Sequence, residues 1–527
     1  MTALDVTISP LGSEDRSGLT TWAAVLGALL GAFMAVLNIQ ITNASLLYIE
    51  GGIGTGVDNG AWISTAYLIG EIIVIPLTDY LSRVFSFRRF LIANTVLFLF
   101  FSVACAFAHD LEQMIVLRAL QGFTGGVLIP MSFTLVLTKL PKGQQPLGMA
   151  LFALTATFAP AIGPTIGGYL TEAYGWQYIF FVNVVPGLLM VVVLWLTLER
   201  EAMQLHLLAR GDWLGIATMA IGLAALQTVL DEGNKDGWFD SVLIVRLTVL
   251  AAVFLILFCW IELRAVNPTV NLRLFARRNF GFGTLANFFV GFALYGAVYI
   301  LPQYLGQVFG YNAEQIGFVM AWTALPQLVI IPFVPWLMGR FDARVLVVAG
   351  LSVFAVSCFM NAYLSPDYAG DELWLPNVVR SVGQAVVLTP IAAIAMSGIG
   401  RQESAAASGL FNMMRNLGGA FGTALLATLV TRREQFHSNI IGSTVTLFRA
   451  TVRGRIADLT GYFLSHGVSD AATAQRKAII ALGNVVRKQA LIMGYADTFA
   501  ALGVILLLAA GLLVCTRRAG ERNVVAH

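Results

Sequence analysis

The stretch that decides the fold is Ala159-Pro160-Ala161-Ile162-Gly163-Pro164-Thr165-Ile166-Gly167-Gly168-Tyr169, which lies late in a long apolar run. In a helix, its two prolines and three glycines share one face, made of Pro160, Gly163, Pro164, Gly167 and Gly168. Such a helix would be unstable in water, because proline and glycine cost roughly 3 and 1 kcal/mol relative to alanine. In a bilayer, neighbouring helices satisfy the freed backbone groups, and small residues let helix backbones approach closely. The stretch therefore predicts a membrane helix whose bare face serves either for close packing or as a bendable hinge between two halves of a transporter.

The composition also indicates a membrane protein. The chain has 527 residues, of which 58% are hydrophobic and 12% are charged, and its mean hydropathy is +0.78. An ordinary soluble domain is about 25% charged, so this many apolar residues cannot be hidden in a globular core. A net charge of +3 gives no argument for a nucleic-acid partner. The cysteines lie in apolar runs and lack the spacing of a disulfide framework or a metal site: Cys105, Cys259, Cys358 and Cys515.

Apolar runs long enough to cross a bilayer, which takes about 20 residues in a helix, predict fourteen spans. They lie near 20–45, 60–82, 88–108, 111–138, 145–172, 176–198, 212–231, 240–263, 280–309, 313–338, 343–364, 372–398, 403–431 and 491–516. Lysine and arginine concentrate in alternate short loops: with the two tails these loops hold 18, whereas the short loops on the opposite side hold only Lys235. Since positive loops stay in the cytoplasm, both termini are predicted to be cytoplasmic.

Two motifs in register carry a resemblance to a known family. Gly163-Pro164-x-x-Gly167-Gly168 resembles the fifth-helix motif of the drug:proton antiporters of the major facilitator superfamily. The segment Trp176-Gln177-Tyr178-Ile179-Phe180-Phe181-Val182-Asn183-Val184-Val185-Pro186-Gly187 is similar to the WRWIFxxNxPxG sequence that the family carries into helix six. Segment order and length, from roughly Leu19 to Thr516, most resemble the EmrB/QacA group, the drug:proton antiporter-2 family. The resemblance implies an all-α integral membrane protein of the major facilitator fold, with two six-helix bundles and two linking helices.

An internal repeat supports two parallel halves. Val116-Leu117-Arg118-Ala119-Leu120-Gln121-Gly122, with Pro130 downstream, is echoed by Val378-Val379-Arg380-Ser381-Val382-Gly383-Gln384 with Pro390. Transporters built from such repeats hold their substrate between the halves near the midplane. The predicted division is a cytoplasmic tail 1–18, an N-terminal six-helix bundle 19–200, two linking transmembrane helices 201–275, C-terminal bundle helices 9–13 over 276–431, an external (periplasmic) segment 432–490, and helix 14 with a cytoplasmic tail 491–527.

Arg118 is the first candidate for proton coupling, and Asn38 marks the place where the usual coupling residue is missing. A charge inside a membrane helix costs about 2.5–3.5 kcal/mol on the insertion scale, so such a residue is a functional candidate by default. Arg118 lies in a sequence similar to the family's RxxQGxxxG signature, and in that family the arginine of the signature is implicated in proton coupling. The alternative is that Arg118 snorkels to the surface at the outer end of its helix. The first helix departs from the family, because Asn38 stands where the family has a coupling aspartate. An amide cannot take up and release a proton.

Glu71 is the replacement that the sequence offers. It lies about halfway along the second predicted helix. Burial disfavours the charged form of a carboxylate, whereas a nearby arginine favours it, so a carboxylate under both influences can load and release a proton. We hypothesise that Glu71 is the protonatable group and that Arg118 modulates it. The alternative is a structural glutamate that is hydrogen-bonded to Asn38 or to another helix.

Polar and aromatic residues on several predicted helices suggest a substrate site. The stretch Gly409-Leu410-Phe411-Asn412-Met413-Met414-Arg415-Asn416-Leu417-Gly418-Gly419 is similar to an SxxNxxRxxGGxxG sequence of the EmrB/QacA group. Ligand sites are apolar cavities with a few polar contacts, although most aromatics in membranes serve packing or the interface. The predicted substrate-binding residues are Asn38, Asn43, Tyr67, Phe152, Tyr295, Tyr299, Gln327, Asn412 and Arg415.

The resemblance implies a secondary active multidrug efflux transporter that exchanges hydrophobic or amphipathic toxic compounds for protons. It further implies a bacterial inner membrane and a tripartite pump, in which the segment 432–490 meets a periplasmic membrane-fusion adaptor with a TolC-like outer-membrane channel beyond it. No lysine follows a glycine and no HExxH spacing occurs, so neither an ATP-driven pump nor a metalloenzyme is expected; no cofactor is expected either. Two alternatives stay open: a dedicated transporter of one metabolite that need not be proton-coupled, and a membrane-embedded enzyme or sensor.

Overall fold

A computed structural model describes residues 13–55, 57–265, 268–400, 402–513 and 516. The first twelve residues, Cys515 and residues 517–527, which include much of both predicted tails, lie outside this part of the chain. The described residues form helices and no strand. The α-helices are α1 (Ser13–Ala44), α2 (Leu46–Ile53), α3 (Val57–Phe85), α4 (Phe87–Ala106), α5 (Leu111–Gly125), α6 (Leu128–Lys139), α7 (Gln145–Tyr174), α8 (Tyr178–Phe181), α9 (Val184–Thr197), α10 (Trp213–Glu232), α11 (Val242–Arg264), α12 (Arg278–Phe309), α13 (Ala313–Ile330), α14 (Val334–Arg340), α15 (Ala343–Met360), α16 (Trp374–Met396), α17 (Ser404–Thr444), α18 (Ala450–Ser465) and α19 (Ala471–Leu512).

The predicted all-helical membrane fold is confirmed. In the described part of the chain, 13 helices are long and apolar enough to cross a membrane. The remaining predicted span falls on α17, whose 41 residues pack against α12, α3 and α19 within the bundle. This helix is less apolar than the other spans because it contains Asn412, Arg415 and Asn416. Its composition alone is therefore a weaker signal of a membrane span. The predicted cytoplasmic placement of the termini stays a prediction.

Local sequence signals set the helix boundaries. The Asp212 carboxylate accepts the Gly215 backbone N–H at 2.9 Å and begins α10, as expected for an N-cap residue. Between α12 and α13, Gly310 adopts a left-handed φ of 70°, which glycine does at no steric cost. Asn312 and Gln315 then form a capping box at the start of α13. The turn therefore reverses the chain within a few residues.

The proline- and glycine-rich stretch runs through α7 without ending it. Pro160 and Pro164 lie inside the helix, and both are buried together with Gly163, Gly167 and Gly168. A Cβ atom on Gly163 would lie 2.5 Å from Gln40 Cβ of α1, and one on Gly167 would lie 2.9 Å from the Ile41 carbonyl oxygen. Only glycine permits this approach, so the bare face of α7 packs on α1 within the first half of the protein.

The same helix also meets the second half. Thr165 of α7 lies against Gly317 of α13, where an added Cβ would come within 2.7 Å of Thr165 Cα. Elsewhere the halves meet where α17 begins: the Ser408 hydroxyl donates to the Pro130 carbonyl oxygen at 3.0 Å. Contacts between the halves thus occur on both sides of the molecular centre, which leaves a cavity between them.

Two helices extend well beyond the length that a membrane requires. A span needs about 20 residues, whereas α17 has 41 and α19 has 42. At 1.5 Å per residue the surplus projects about 30 Å from the bundle. The helix α18 packs against α19. The segment 432–490 is thus largely helical in this structure.

Candidate functional site

A cavity between the halves has an empty volume of about 560 Å³, part of which is open to solvent. Helices α1 and α3 contribute to it from the first half, and α12 and α17 from the second, and the linking helix α10 contributes one residue. The lining residues are Ile39, Gln40, Asn43, Leu68, Glu71, Ile72, Gln227, Tyr295, Asn416, Gly419, Ala420 and Thr423. The wall is mainly apolar with a few amides and one carboxylate, which is the pattern expected of a small-molecule site.

Glu71 is the ionisable group of this wall. The residue is 2% exposed, and its Oε1 atom accepts a hydrogen bond of 2.8 Å from Asn416 Nδ2. Glu71 belongs to α3 and Asn416 to α17, so this bond joins the two halves across the cavity. Among the described residues, Glu71 Oε2 has no hydrogen-bond partner. The carboxylate therefore has one oxygen tied to the opposite half and one free to carry a proton.

Two buried arginines, Arg415 and Arg118, lie close enough to Glu71 to interact with its charge. Arg415 is 2% exposed, and its guanidinium lies 5.7 Å from the centroid of the Phe152 ring. Its Nε and Nη2 atoms have no hydrogen-bond partner among the described residues. Since an unpaired buried charge is costly, Arg415 favours a negative charge on the neighbouring carboxylate.

Arg118 is held by neutral acceptors. Its Nη1 atom donates to Asn38 Oδ1 at 2.6 Å and to Gln121 Oε1 at 2.7 Å. Its Nε atom donates to the Ile63 carbonyl oxygen at 3.2 Å, and its guanidinium lies 4.4 Å from the Tyr67 ring centroid. The residue is 0% exposed, so it does not snorkel to the surface. Asn38 thus binds Arg118 where an acidic counter-ion could stand, but it brings no negative charge.

The structure brings some of the predicted residues to the cavity. Asn43, Tyr295 and Glu71 line it, and Asn43 accepts a hydrogen bond from Ser64. Tyr67 lies behind this wall, where its hydroxyl donates to the Ala35 carbonyl oxygen at 3.2 Å. These residues, together with Arg415, form one continuous group around Glu71.

The other predicted substrate residues lie outside the cavity lining. Tyr299 is 39% exposed. Gln327 is buried in the second half, where it donates to the Thr323 carbonyl oxygen and to Gln384. Asn412 donates to the Ser408 carbonyl oxygen of its own helix. Phe152 packs against Phe133, which in turn stacks on Phe411. Asn38 binds Arg118.

Several lining residues were not among the predicted substrate-binding residues. Asn416 stands one residue after Arg415 in the quoted motif, yet it is the amide that reaches Glu71. Gln227 belongs to a predicted linking helix, and a glutamine inside an apolar run was the signal that could have identified it. Gln40 and Thr423 line the same space, and Gln40 also packs against Gly163. The proline and glycine face of α7 therefore supports the cavity wall from behind.

Comparison with known proteins agrees with this architecture. The Major Facilitator Superfamily pattern matches residues 28–423. The colistin resistance protein EmrB of Acinetobacter baumannii is 32% identical over 495 residues, which cover 94% of this chain and 96% of that protein. The multidrug export protein EmrB of Escherichia coli K12 is 32% identical over 85% of this chain and 87% of its own length. The fatty acid resistance protein FarB of Neisseria gonorrhoeae is 31% identical over 90% of this chain and 91% of its own length.

Solved structures share the fold at low sequence identity. The human organic anion transporter MFSD10 superposes with a TM-score of 0.58 at 13% identity, over 94% of this chain and 99% of that one. The proton:xylose symporter XylE superposes with a TM-score of 0.57 at 14% identity, over 94% of this chain and 95% of that one. The fold, the family pattern and the relatives agree that this is a multi-pass membrane transporter and not an enzyme: the chain belongs to the Major Facilitator Superfamily, among proteins of the EmrB type.

Proposed function

We propose that this protein exports hydrophobic and amphipathic compounds in exchange for protons. Relatives named for multidrug export and for resistance to colistin and to fatty acids support the substrate class. The observation that carries the coupling is the 2.8 Å hydrogen bond between Asn416 and Glu71, because it connects the two halves through a group that can change its charge.

Protonation of Glu71 would weaken this connection. A hydrogen bond to a charged group contributes about 1.5–3 kcal/mol, whereas one between neutral groups contributes about 0.5–1.5 kcal/mol. The protonated acid also loses its attraction to Arg415. A difference of 1.4 kcal/mol shifts a two-state equilibrium tenfold, so one proton is enough to favour separation of α3 from α17 and opening of the cavity. Release of that proton restores the bond and closes the cavity on the same side.

The test is efflux of a fluorescent amphipathic dye from proteoliposomes that contain the purified protein and an imposed pH gradient. The gradient is expected to drive dye transport against its concentration difference, and an ionophore that collapses the gradient should stop it. Dye movement that ignores the gradient would contradict proton coupling and would favour the uncoupled single-metabolite transporter, for which the neutral Asn38 is the structural argument.

We further propose that the protein lies in a bacterial inner membrane and docks to a periplasmic membrane-fusion adaptor that leads to a TolC-like outer-membrane channel. The support is the helical extension formed by the ends of α17 and α19 together with α18. This extension presents large apolar side chains to solvent: Phe448 is 93%, Ile480 62% and Tyr462 54% exposed. Apolar surface of this kind is typical of protein–protein contacts.

Removal of α18 is expected to separate transport from resistance. The ends of α17 and α19 are joined independently of α18, because Asp497 binds Arg433 Nε at 2.6 Å and His437 Nε2 at 2.7 Å. A variant in which a short glycine–serine linker replaces Ala450–Ser465 should therefore transport dye in proteoliposomes but lose most drug resistance in cells. Resistance at the wild-type level would contradict the adaptor contact, and Tyr462→Ser serves as a milder variant of the same surface.

A further inference from the structure

The linking helix α10 forms part of the transport cavity. It packs not only against its partner α11 but also against α3 of the first half and α17 of the second, so it lies across the gap between them. Gln227 of α10 is 2% exposed and lines the same cavity as Glu71, Tyr295 and Asn416. Its amide therefore borders the space that a substrate would occupy.

The chemistry of a neighbouring carboxylate determines how this amide is oriented. Gln227 Nε2 lies 3.1 Å from Oδ1 and 3.1 Å from Oδ2 of Asp231, one helical turn further along α10. A carboxylate only accepts hydrogen bonds, so the NH₂ group of Gln227 must point toward it. This arrangement leaves the carbonyl oxygen of Gln227 as the atom available to the cavity.

We propose that Gln227 contacts the transported substrate as a hydrogen-bond acceptor, that Asp231 is its positioning residue, and that the pair selects amphiphiles that carry an N–H donor, such as protonated amines. The inference rests on the proposed export function and names a substrate class for it. A site built to receive a hydrogen bond rejects an analogue that lacks the donor, because its own polar group is then left unpaired. Gln227 thereby adds the requirement for a donor to a cavity that is otherwise mainly apolar.

Two matched dyes test this: a tertiary amine that is protonated at neutral pH, and its N-methylated quaternary derivative. Both are cations of nearly equal shape, but only the first has an N–H group. The wild type is expected to show a half-saturating concentration about tenfold lower for the tertiary amine. Gln227→Leu and Asp231→Asn should remove this preference, because the half-saturating concentration rises more for the tertiary amine than for the quaternary dye.

Two control variants distinguish selection from general damage. Thr228→Val changes the adjacent residue, whose hydroxyl binds the Ala224 carbonyl oxygen and does not line the cavity. Asp240→Asn removes an exposed carboxylate beyond the same end of α10. Both should keep the wild-type preference. Equal preferences in wild type, Gln227→Leu and Asp231→Asn would overturn the inference while export itself stands, and a wild type that moves neither dye would overturn both.

A labelling experiment keeps the test decisive if Gln227→Leu does not fold. Gln227→Cys, in a background with Cys259→Ser and Cys515→Ser, should react with a small methanethiosulfonate reagent. The other two cysteines, Cys105 and Cys358, are buried. Either dye, added before the reagent, should slow the labelling of Gln227→Cys, because both occupy the cavity that this residue lines. No protection by either dye would overturn the placement of Gln227 at the substrate site, and so its role in selection.

Discussion

Glu71→Gln is expected to abolish proton-driven export while leaving dye binding intact. Glutamine has nearly the shape of glutamate, and its carbonyl oxygen can still accept the hydrogen bond from Asn416 that glutamate accepts at 2.8 Å. It cannot take up or release a proton. The wall of the cavity should therefore remain, but its connection to the pH gradient should be lost. We expect gradient-driven efflux to fall to the level of empty liposomes, with dye affinity within about twofold of the wild type.

Substrate-induced proton release from purified protein is the most direct readout for this variant. Addition of dye to the wild type should release protons into a weakly buffered solution, and addition to Glu71→Gln should not. Glu262→Gln is the matched control, because Glu262 is also buried at 1% exposure but accepts from the Val270 backbone at 3.2 Å, away from the cavity. An unchanged release signal in Glu71→Gln would eliminate this carboxylate as the coupling group, whatever the transport rate.

The fold was predictable because its signals are local. Runs of apolar residues identify most spans, since a bilayer demands the same length and composition wherever a helix crosses it. The bare face of α7 was predictable for a similar reason: the spacing of Gly163 and Gly167 along one helix is visible in the sequence, and both positions prove to be in close contact with α1. The span on α17 is the weakest of these signals, because Arg415 and its neighbouring amides serve the interior of the bundle and not the lipid.

The contacts around Glu71 were harder to predict from the sequence. A carboxylate in an apolar run signals a partner but does not identify it, and the partner proves to be Asn416, 345 positions away. Asn412 and Asn416 stand four residues apart, on the same side of one helix, yet Asn412 binds its own backbone. Which amide reaches across depends on how the halves dock. The role of Gln227 likewise depends on where α10 packs, which its own sequence does not encode locally.

Arg118→Lys is expected to reduce transport by at least tenfold, and Arg380→Lys much less. The two arginines occupy equivalent positions of the internal repeat and are equally buried, at 0% and 2% exposure. Arg118 donates to three acceptors in a fixed geometry, at 2.6, 2.7 and 3.2 Å. A lysine has one donor atom on a flexible chain and cannot reproduce that fork, and each lost hydrogen bond to a charged group costs about 1.5–3 kcal/mol.

Arg380 has a single short hydrogen bond, to Thr323 Oγ1 at 2.5 Å, and longer contacts to the Ala297 carbonyl oxygen and the Met320 sulfur at 3.5 and 4.0 Å. A lysine ammonium can replace one short hydrogen bond, so Arg380→Lys should mainly lower thermal stability.

Gradient-driven efflux and the melting temperature, measured on both variants, separate a loss of transport from a loss of stability. Equal losses of transport would mean that each arginine merely stabilises its own half. A loss confined to Arg118→Lys, with the melting temperatures matched, would assign coupling to the half that also carries Glu71. Asn38 would then be a neutral acceptor that keeps the guanidinium in place without competing for its charge.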